Sequence, residues 1–257
     1  MRRPTDPDDR PAYDKRLDMT WEDSAGWWQR EFTDGADAEY EEQIIPLALD
    51  LLAGRRRVAD IGTGEGQIAR RLVDADPSVQ VLGLDPTAPQ IEEAGRRGGG
   101  PQYALAGADA LPIVTGSCDA ALACLVFEHI HEMEQAVLEV ARILAPSGRF
   151  VFMLNHPLLQ TPDSGWIDDH MVDPPEQYWR IGPYLVETDT VEEVQKDVWI
   201  PFIHRPLHRY VNALVGSGLR LTRMIEPSPP PGYLDRNPMY GAQAHIPRLL
   251  VLVADRI

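Results

Sequence analysis

Val58-Ala59-Asp60-Ile61-Gly62-Thr63-Gly64-Glu65-Gly66-Gln67-Ile68-Ala69 is the stretch that decides the fold. An apolar run ends in three glycines spaced by one residue and a helical pattern follows, so the stretch predicts a buried strand, a glycine-rich turn and a helix. Glycines there let the backbone approach a ligand where a Cβ would collide, and the helix that follows points its free N–H groups at that ligand. Such a turn is a nucleotide cradle. A dinucleotide site that grips pyrophosphate uses G-x-G-x-x-G, whereas Gly66 arrives one residue early. Asp60, two positions before Gly62, places a carboxylate at the strand's end, where it repels an anionic pyrophosphate and suits a zwitterionic or cationic ligand. The plain alternative is a glycine-rich turn that binds nothing.

Three further segments follow in order. Val79-Gln80-Val81-Leu82-Gly83-Leu84-Asp85 is a second short apolar run ending in an acid. In a strand-helix-strand unit the second strand lies beside the first, so Asp85 reaches the same ligand edge and can accept both hydroxyls of a ribose. Alternatively Asp85, followed by Pro86-Thr87, only caps the helix starting near Pro89. Ala106-Gly107-Ala108-Asp109-Ala110-Leu111-Pro112 reads as a loop, and Asp119 opens an apolar run through Cys124 and Leu125 to Phe127-Glu128-His129-Ile130. Residues 136–153 then give an amphipathic helix, a Pro146-Ser147-Gly148 turn and another strand.

These elements, in this order, resemble the class I S-adenosylmethionine-dependent methyltransferases, whose first motif is an acid, any residue, then G-x-G-x-G. The resemblance is clear over roughly residues 45 to 156 and extends less distinctly over the last fifty. It implies an α/β fold with a Rossmann-like, seven-stranded, mostly parallel sheet, an antiparallel last strand and helices on both faces. It implies S-adenosyl-L-methionine as cofactor, with Asp60, Gly62, Thr63 and Gly64 at the cradle and Asp85 and Pro86 at the ribose. Asp109 would accept from the adenine amine, the Ala110 N–H would meet a ring nitrogen, and Leu125 would line the methyl-donor pocket.

The 257 residues suit one α/β domain with an insertion, a size that buries a substantial core without staples. With 24 Lys and Arg against 40 Asp and Glu, the formal charge of −16 disfavours nucleic acid and anionic membrane surfaces as partners. Arg55-Arg56-Arg57 and Arg70-Arg71 read as solvated helix ends and turns. Cys118 and Cys124 are too few and too far apart for a zinc knuckle or redox pair, and read as reduced core or pocket-wall residues. No apolar run approaches the roughly 20 residues that span a bilayer, and the first residues lack a signal peptide's apolar core. The cytoplasm is the expected location and a small molecule the expected partner, with a second copy of the chain as a candidate in a homodimer.

Specificity must lie outside the cofactor motifs. Residues 1–44 read as a polar leader and an aromatic lid carrying Tyr13, Trp21, Trp27, Trp28 and Phe32. These rings either close over the cofactor, where Tyr13, Trp27 or Trp28 would face a sulfonium, or simply anchor the segment to the domain. Residues 37–52 predict an amphipathic helix with Gly54 as its stop. After His156-Pro157, residues 157–200 are rich in Pro, Asp and aromatics and read as a loop-rich substrate cap springing from a strand's carboxyl end.

Methyl transfer from a sulfonium demands alignment, dryness and, for a protonated nucleophile, a base. His156, at a strand end, is the first candidate for general base, although a histidine before proline can also just bond its own turn. His129 and Glu128 follow. Asp168-Asp169-His170 lacks a second ligand set, so no metal is expected. Two other classes stay open: a nicotinamide-dependent dehydrogenase, which the glycine spacing disfavours, and a protein that binds S-adenosyl-L-methionine without transferring its methyl, as a regulator or cofactor-assisted cyclase. The aromatic lid and cap suggest a planar or apolar acceptor, methylated on O, N, S or C.

Overall fold

The computed structural model describes residues 21–33, 35–196, 198–236 and 244–257. Tyr13 lies outside them. Helix α1 spans Trp21–Glu31, and a π-helical turn over Tyr40–Ile44 runs into α2, Ile45–Leu51. The central unit alternates β1 (Arg57–Ile61), α3 (Gln67–Ala75), β2 (Gln80–Asp85), α4 (Ala88–Arg97), β3 (Gln102–Leu105), β4 (Cys118–Cys124), α5 (Met133–Ile143) and β5 (Leu144–Asn155). Two hairpins follow, β6 (Gly165–Asp169) with β7 (Glu176–Arg180) and β8 (Thr188–Gln195) with β9 (Val198–His204). The chain closes with α6 (Leu207–Gly216), β10 (Leu219–Ile225), the short α7 (Pro231–Leu234) and β11 (Leu249–Arg256).

The main sheet orders its strands β10-β11-β5-β4-β1-β2-β3. β1 to β5 pair in parallel, and β11 runs antiparallel to both β5 and β10. This is the seven-stranded, mostly parallel arrangement that the motif order implied. The central strands β1, β4 and β11 and the second half of β5 are buried on both faces and largely apolar, as the interior of such a sheet requires, while the edge strands β3 and β10 are mostly half-buried or exposed. Along β5, Phe150 and Phe152 join Ala121 and Ala123 of β4 on one face, under α5 and α6. Val151 and Met153 join Ala120 and Leu122 on the other, under α2 and α3. The alanines of β4 let helices approach closely on both sides. Phe150 and Phe152 stack at 4.9 Å, and truncating either to Ala would cost about 3–5 kcal/mol.

Parallel pairing brings the carboxyl ends of β1, β2, β4 and β5 to one edge. At the other end, the Asp119 carboxylate accepts the N–H groups of Arg56 and Arg57 at 2.9–3.1 Å, fixing where β1 begins. The Pro146–Gly148 turn lies near the start of β5, where the register against β4 shifts.

The segment expected as a loop-rich cap is instead largely two antiparallel hairpins. Its composition hid them: β8 has a mostly polar sequence, Thr-Asp-Thr-Val-Glu-Glu-Val-Gln, and β9 contains Pro201. A proline is tolerated there because a two-stranded sheet consists of edges and can spare one N–H. The hairpin β8–β9 also carries the lid. Trp27 of α1 packs on Ile200 and Phe202 and its indole N–H donates to Gln195 Oε1. Trp27 therefore anchors the segment, while its neighbours Trp21 and Trp28 turn to the ligand edge.

Candidate active site

A cavity of about 380 Å³, within the usual range for cofactor pockets, opens at the carboxyl ends of β1, β2 and β4. It brings together Asp60, Gly62, Thr63, Gly64, Asp85, Pro86, Asp109, Leu125 and Trp28 from the residues singled out in the sequence. Ala110 does not line it and is exposed, as the chain turns outward after Asp109.

The turn after β1 is held from all sides. The N–H groups of Gly62 and Thr63 both donate to the Leu84 carbonyl, at 2.7 and 2.9 Å. Gly62 has φ +70°, and a Cβ built on it would lie 2.3 Å from Val126 Cγ2. Its glycine is thus demanded by the segment after β4 packing against it. At Gly64 (φ +55°) the nearest neighbours to such a Cβ are Trp28 Nε1 at 3.8 Å and Gln90 Nε2 at 4.0 Å, so this is the glycine that leaves room within the cavity. Glu65 turns away into a buried ion cluster with Arg70 and Arg97. Arg70 therefore belongs to the packed interior rather than to a solvated helix end.

Asp60 and Asp85 are two of the carboxylates that line the cavity. Asp60 accepts the Thr63 hydroxyl at 2.7 Å, and burial pushes its pKa up to about 6 against that hydrogen bond. Asp85 accepts the N–H of Gly64 at 2.9 Å and that of Thr87 at 2.8 Å, and burial also raises its pKa. Leu125 has φ 57°, a left-handed conformation that costs a branched residue about 1–3 kcal/mol and tends to persist at ligand sites. Its N–H donates to the Met153 carbonyl at 2.9 Å.

Aromatic rings line the lid side. Trp28 stacks on Phe32 at 4.4 Å and meets Tyr40 and Trp21 edge-on at 6.0 and 5.7 Å. Trp21, Tyr40, Thr87, Gln90 and Cys124 line the cavity as well, and were not assigned to the cofactor in the sequence. Tyr40 is buried in the predicted amphipathic helix, where an aromatic at helical spacing reads as core. Cys118 and Cys124 are both free and buried.

The candidate bases separate. His156 does not line this cavity. Its Nε2 contacts Glu226 Oε1 at 2.8 Å, its Nδ1 accepts the Leu158 N–H at 3.2 Å, and its backbone N–H donates to the Arg248 carbonyl at 2.7 Å. One ring nitrogen bonds the turn that starts the hairpin region and the other ties it to Glu226 just past β10, so the geometry does not bring His156 to a reacting atom. Glu128 is buried and accepts both the backbone and side-chain N–H of Asn155 at 3.0 and 2.7 Å. His129 does line the cavity. Its Nδ1–H donates to the Pro201 carbonyl at 2.7 Å, and the ring is held between Trp21 and Phe202 at 4.8 and 4.6 Å. Burial pushes its pKa down to about 4, so it is neutral at pH 7, with the Nε2 lone pair unpartnered among the described residues.

The cap's aromatics Trp166, Tyr178, Trp179, Tyr184 and Trp199 do not line this cavity. The hairpins act on it through Pro201 and Phe202. Among the described residues no group of three His, Cys, Asp or Glu side chains could hold a metal, and no helix is long and apolar enough to cross a membrane.

Residues 59–152 match a family model described as a methyltransferase domain. Over 123 residues the chain is 33% identical to a demethylmenaquinone methyltransferase of Thermus thermophilus, covering 46% of this chain and 55% of that protein. A demethylmenaquinone methyltransferase of Thermotoga maritima is 27% identical over 119 residues, covering 46% and 51%. The chain thus spans about half the length of the curated relatives it matches. A crystal structure of an S-adenosylmethionine-dependent methyltransferase from Mesorhizobium loti superposes with a TM-score of 0.71 at 27% identity, covering 87% of this chain and 99% of that one. The cavity fits that cofactor: Gly64 leaves space at the turn, two buried carboxylates face a zwitterionic, ribose-bearing molecule, and aromatic faces meet a cation. Sheet order, glycine turn and acid placement agree with these likenesses, and the chain is similar in sequence over residues 59–152 and in fold to S-adenosylmethionine-dependent methyltransferases.

Proposed function

We propose that this chain transfers the methyl group of S-adenosyl-L-methionine to a small, planar, largely apolar acceptor such as a hydroxylated aromatic or quinol ring. The observation that carries this reading is one cavity with Asp60 and Asp85 on the glycine-turn side and the unpartnered His129 Nε2 among Trp21, Val126 and Ile130. The named activity of the Thermus relative supports a ring of that class.

When bound, the cofactor supplies an electrophilic methyl on a sulfonium. Asp85 would hold the ribose hydroxyls, and it accepts the Gly64 N–H at the tip of the turn. Asp60 offers a negative charge to the cationic end. Trp21 and Trp28 exclude water and present ring faces to positive charge. His129 would accept a hydrogen bond from the acceptor's hydroxyl at Nε2 and take its proton, while the Pro201 carbonyl keeps Nδ1 protonated and the tautomer fixed. With a pKa of about 4 it is a weak base, so its main contribution is to aim the oxygen and receive the proton late in the transfer.

The test is release of S-adenosylhomocysteine when the protein and S-adenosyl-L-methionine are given a panel of hydroxynaphthalenes and reduced quinones. Product from a ring acceptor supports the reading. Tight S-adenosylhomocysteine binding without product from any ring sinks methyl transfer to this class.

A further inference from the structure

His129 ends a single 3₁₀ turn, Phe127–His129, in the stretch between β4 and α5, most of which lines the cavity. Within this stretch the His129 N–H donates to the Val126 carbonyl at 3.0 Å and the Ile130 N–H to the Phe127 carbonyl at 3.4 Å. So short a turn satisfies few of its own carbonyls. Three of the carbonyls here are gripped by one side chain. Arg205, 4% exposed, donates through Nη1 to the Phe127 carbonyl at 3.1 Å and through Nη2 to those of Ile130 and His131 at 2.7 and 3.0 Å. The gripped carbonyls lie on both sides of His129 along the chain.

Arg205 follows β9 directly, and β9 already supplies the Pro201 carbonyl that accepts the His129 Nδ1–H. Residues 201–205 therefore hold both the ring of His129 and the backbone around it. Tyr184 fixes the base of this arm: its carbonyl accepts from His204 Nε2 at 2.8 Å, and its hydroxyl accepts the Leu207 N–H at 2.8 Å. A buried guanidinium is costly unless its donors are met, and its rigid fork meets several acceptors at once where a lysine offers a point charge. Arg205 does not line the cavity, so its effect there passes through the turn it grips.

We propose that Arg205 is a positioning residue for the reaction: its three-way grip sets the backbone that carries His129, and so the place of the Nε2 that receives the acceptor's proton. This rests on the reading of His129 given under the proposed function.

The test compares Arg205→Lys, which keeps the charge and loses the fork, with the wild type and with His129→Gln. With a hydroxynaphthalene acceptor kcat should fall by about 10- to 100-fold, the scale of a displacement of roughly 1 Å, while S-adenosylhomocysteine affinity by calorimetry stays within about threefold. In the His129→Gln background the same substitution should cost less than about threefold, because the two residues act as one unit. An unchanged kcat, a parallel loss of kcat and affinity, or the full loss in both backgrounds overturns the proposal. A second measurement needs no turnover: the His129 imidazole ¹H–¹⁵N signals, identified by their absence in His129→Gln, should show an Nδ1–H that exchanges faster in Arg205→Lys than in the wild type. Identical exchange overturns the proposal as well. If no ring yields product, the acceptor reading fails by itself, and the exchange rates still decide whether Arg205 holds the ring. Should Arg205→Lys not fold, Arg205→Gln carries the same readings.

Discussion

The backbone N–H of Gly64 donates to Asp85 Oδ2 at 2.9 Å, tying the tip of the turn after β1 to the end of β2. One carboxylate thus shapes the cradle and faces what the cradle holds. Asp85→Ala should weaken S-adenosylhomocysteine binding by roughly 1–3 kcal/mol, the range for lost charged hydrogen bonds. Calorimetry measures this directly, and an unchanged affinity would remove Asp85 from the site.

Gly62→Ala tests a different constraint. The new methyl would meet Val126 Cγ2 at 2.3 Å and adopt a positive φ. The variant should lose about 2–4 kcal/mol from overpacking and left-handed strain together. Adding Val126→Ala should restore part of that loss, as seen in urea midpoints. If the second substitution restores nothing, the contact with Val126 is not what demands the glycine.

Asp60 titrates within the accessible range. Its pKa of about 6 in the folded chain means that it is largely protonated at pH 5, and a cationic ligand must expel that proton. The heat of S-adenosyl-L-methionine binding should therefore depend on the buffer's ionisation enthalpy at pH 5 and not at pH 8. Asp60→Asn should abolish the dependence. Identical heats in all buffers at pH 5 would contradict the assignment.

His129 should separate chemistry from binding. His129→Gln should lower turnover by about 10²–10⁴ and leave S-adenosylhomocysteine affinity within a few-fold, as loss of a proton acceptor does. Its depressed pKa also has a stability consequence. The folded state holds the imidazole neutral, so its contribution is complete above the unfolded value of about 6.5 and is lost as pH falls toward about 4. The wild type should lose thermal stability relative to His129→Gln across that interval. A constant difference would argue against the buried, neutral ring.

Much of the cofactor half was legible because its determinants are local. The glycine spacing, the acids ending β1 and β2, and the order of the strands are all properties of short segments. Ala110 falls outside the cavity lining, because a loop's curvature depends on what packs beneath it. His156 and His129 look alike in sequence, each following a strand, yet only His129 has a nitrogen left over. What distinguishes them is Glu226 and Pro201, partners 70 and 72 residues away. The hairpins were hidden because polar strands that bury few side chains show no strong alternation. Tyr40 was concealed because lining a cavity and filling a core produce the same helical spacing.

The place of β11 governs when this fold can form during synthesis. β10 lies at the sheet's edge with β11 as its sheet neighbour, and β11 also completes β5. Until residues 249–256 have left the ribosome, β5 presents an open, apolar flank and β10 has no strand to join. The nascent chain can assemble β1 to β5 around the glycine turn, but it must carry that exposed flank until this last strand threads between two waiting neighbours. Chaperone contact and aggregation on truncation should concentrate there.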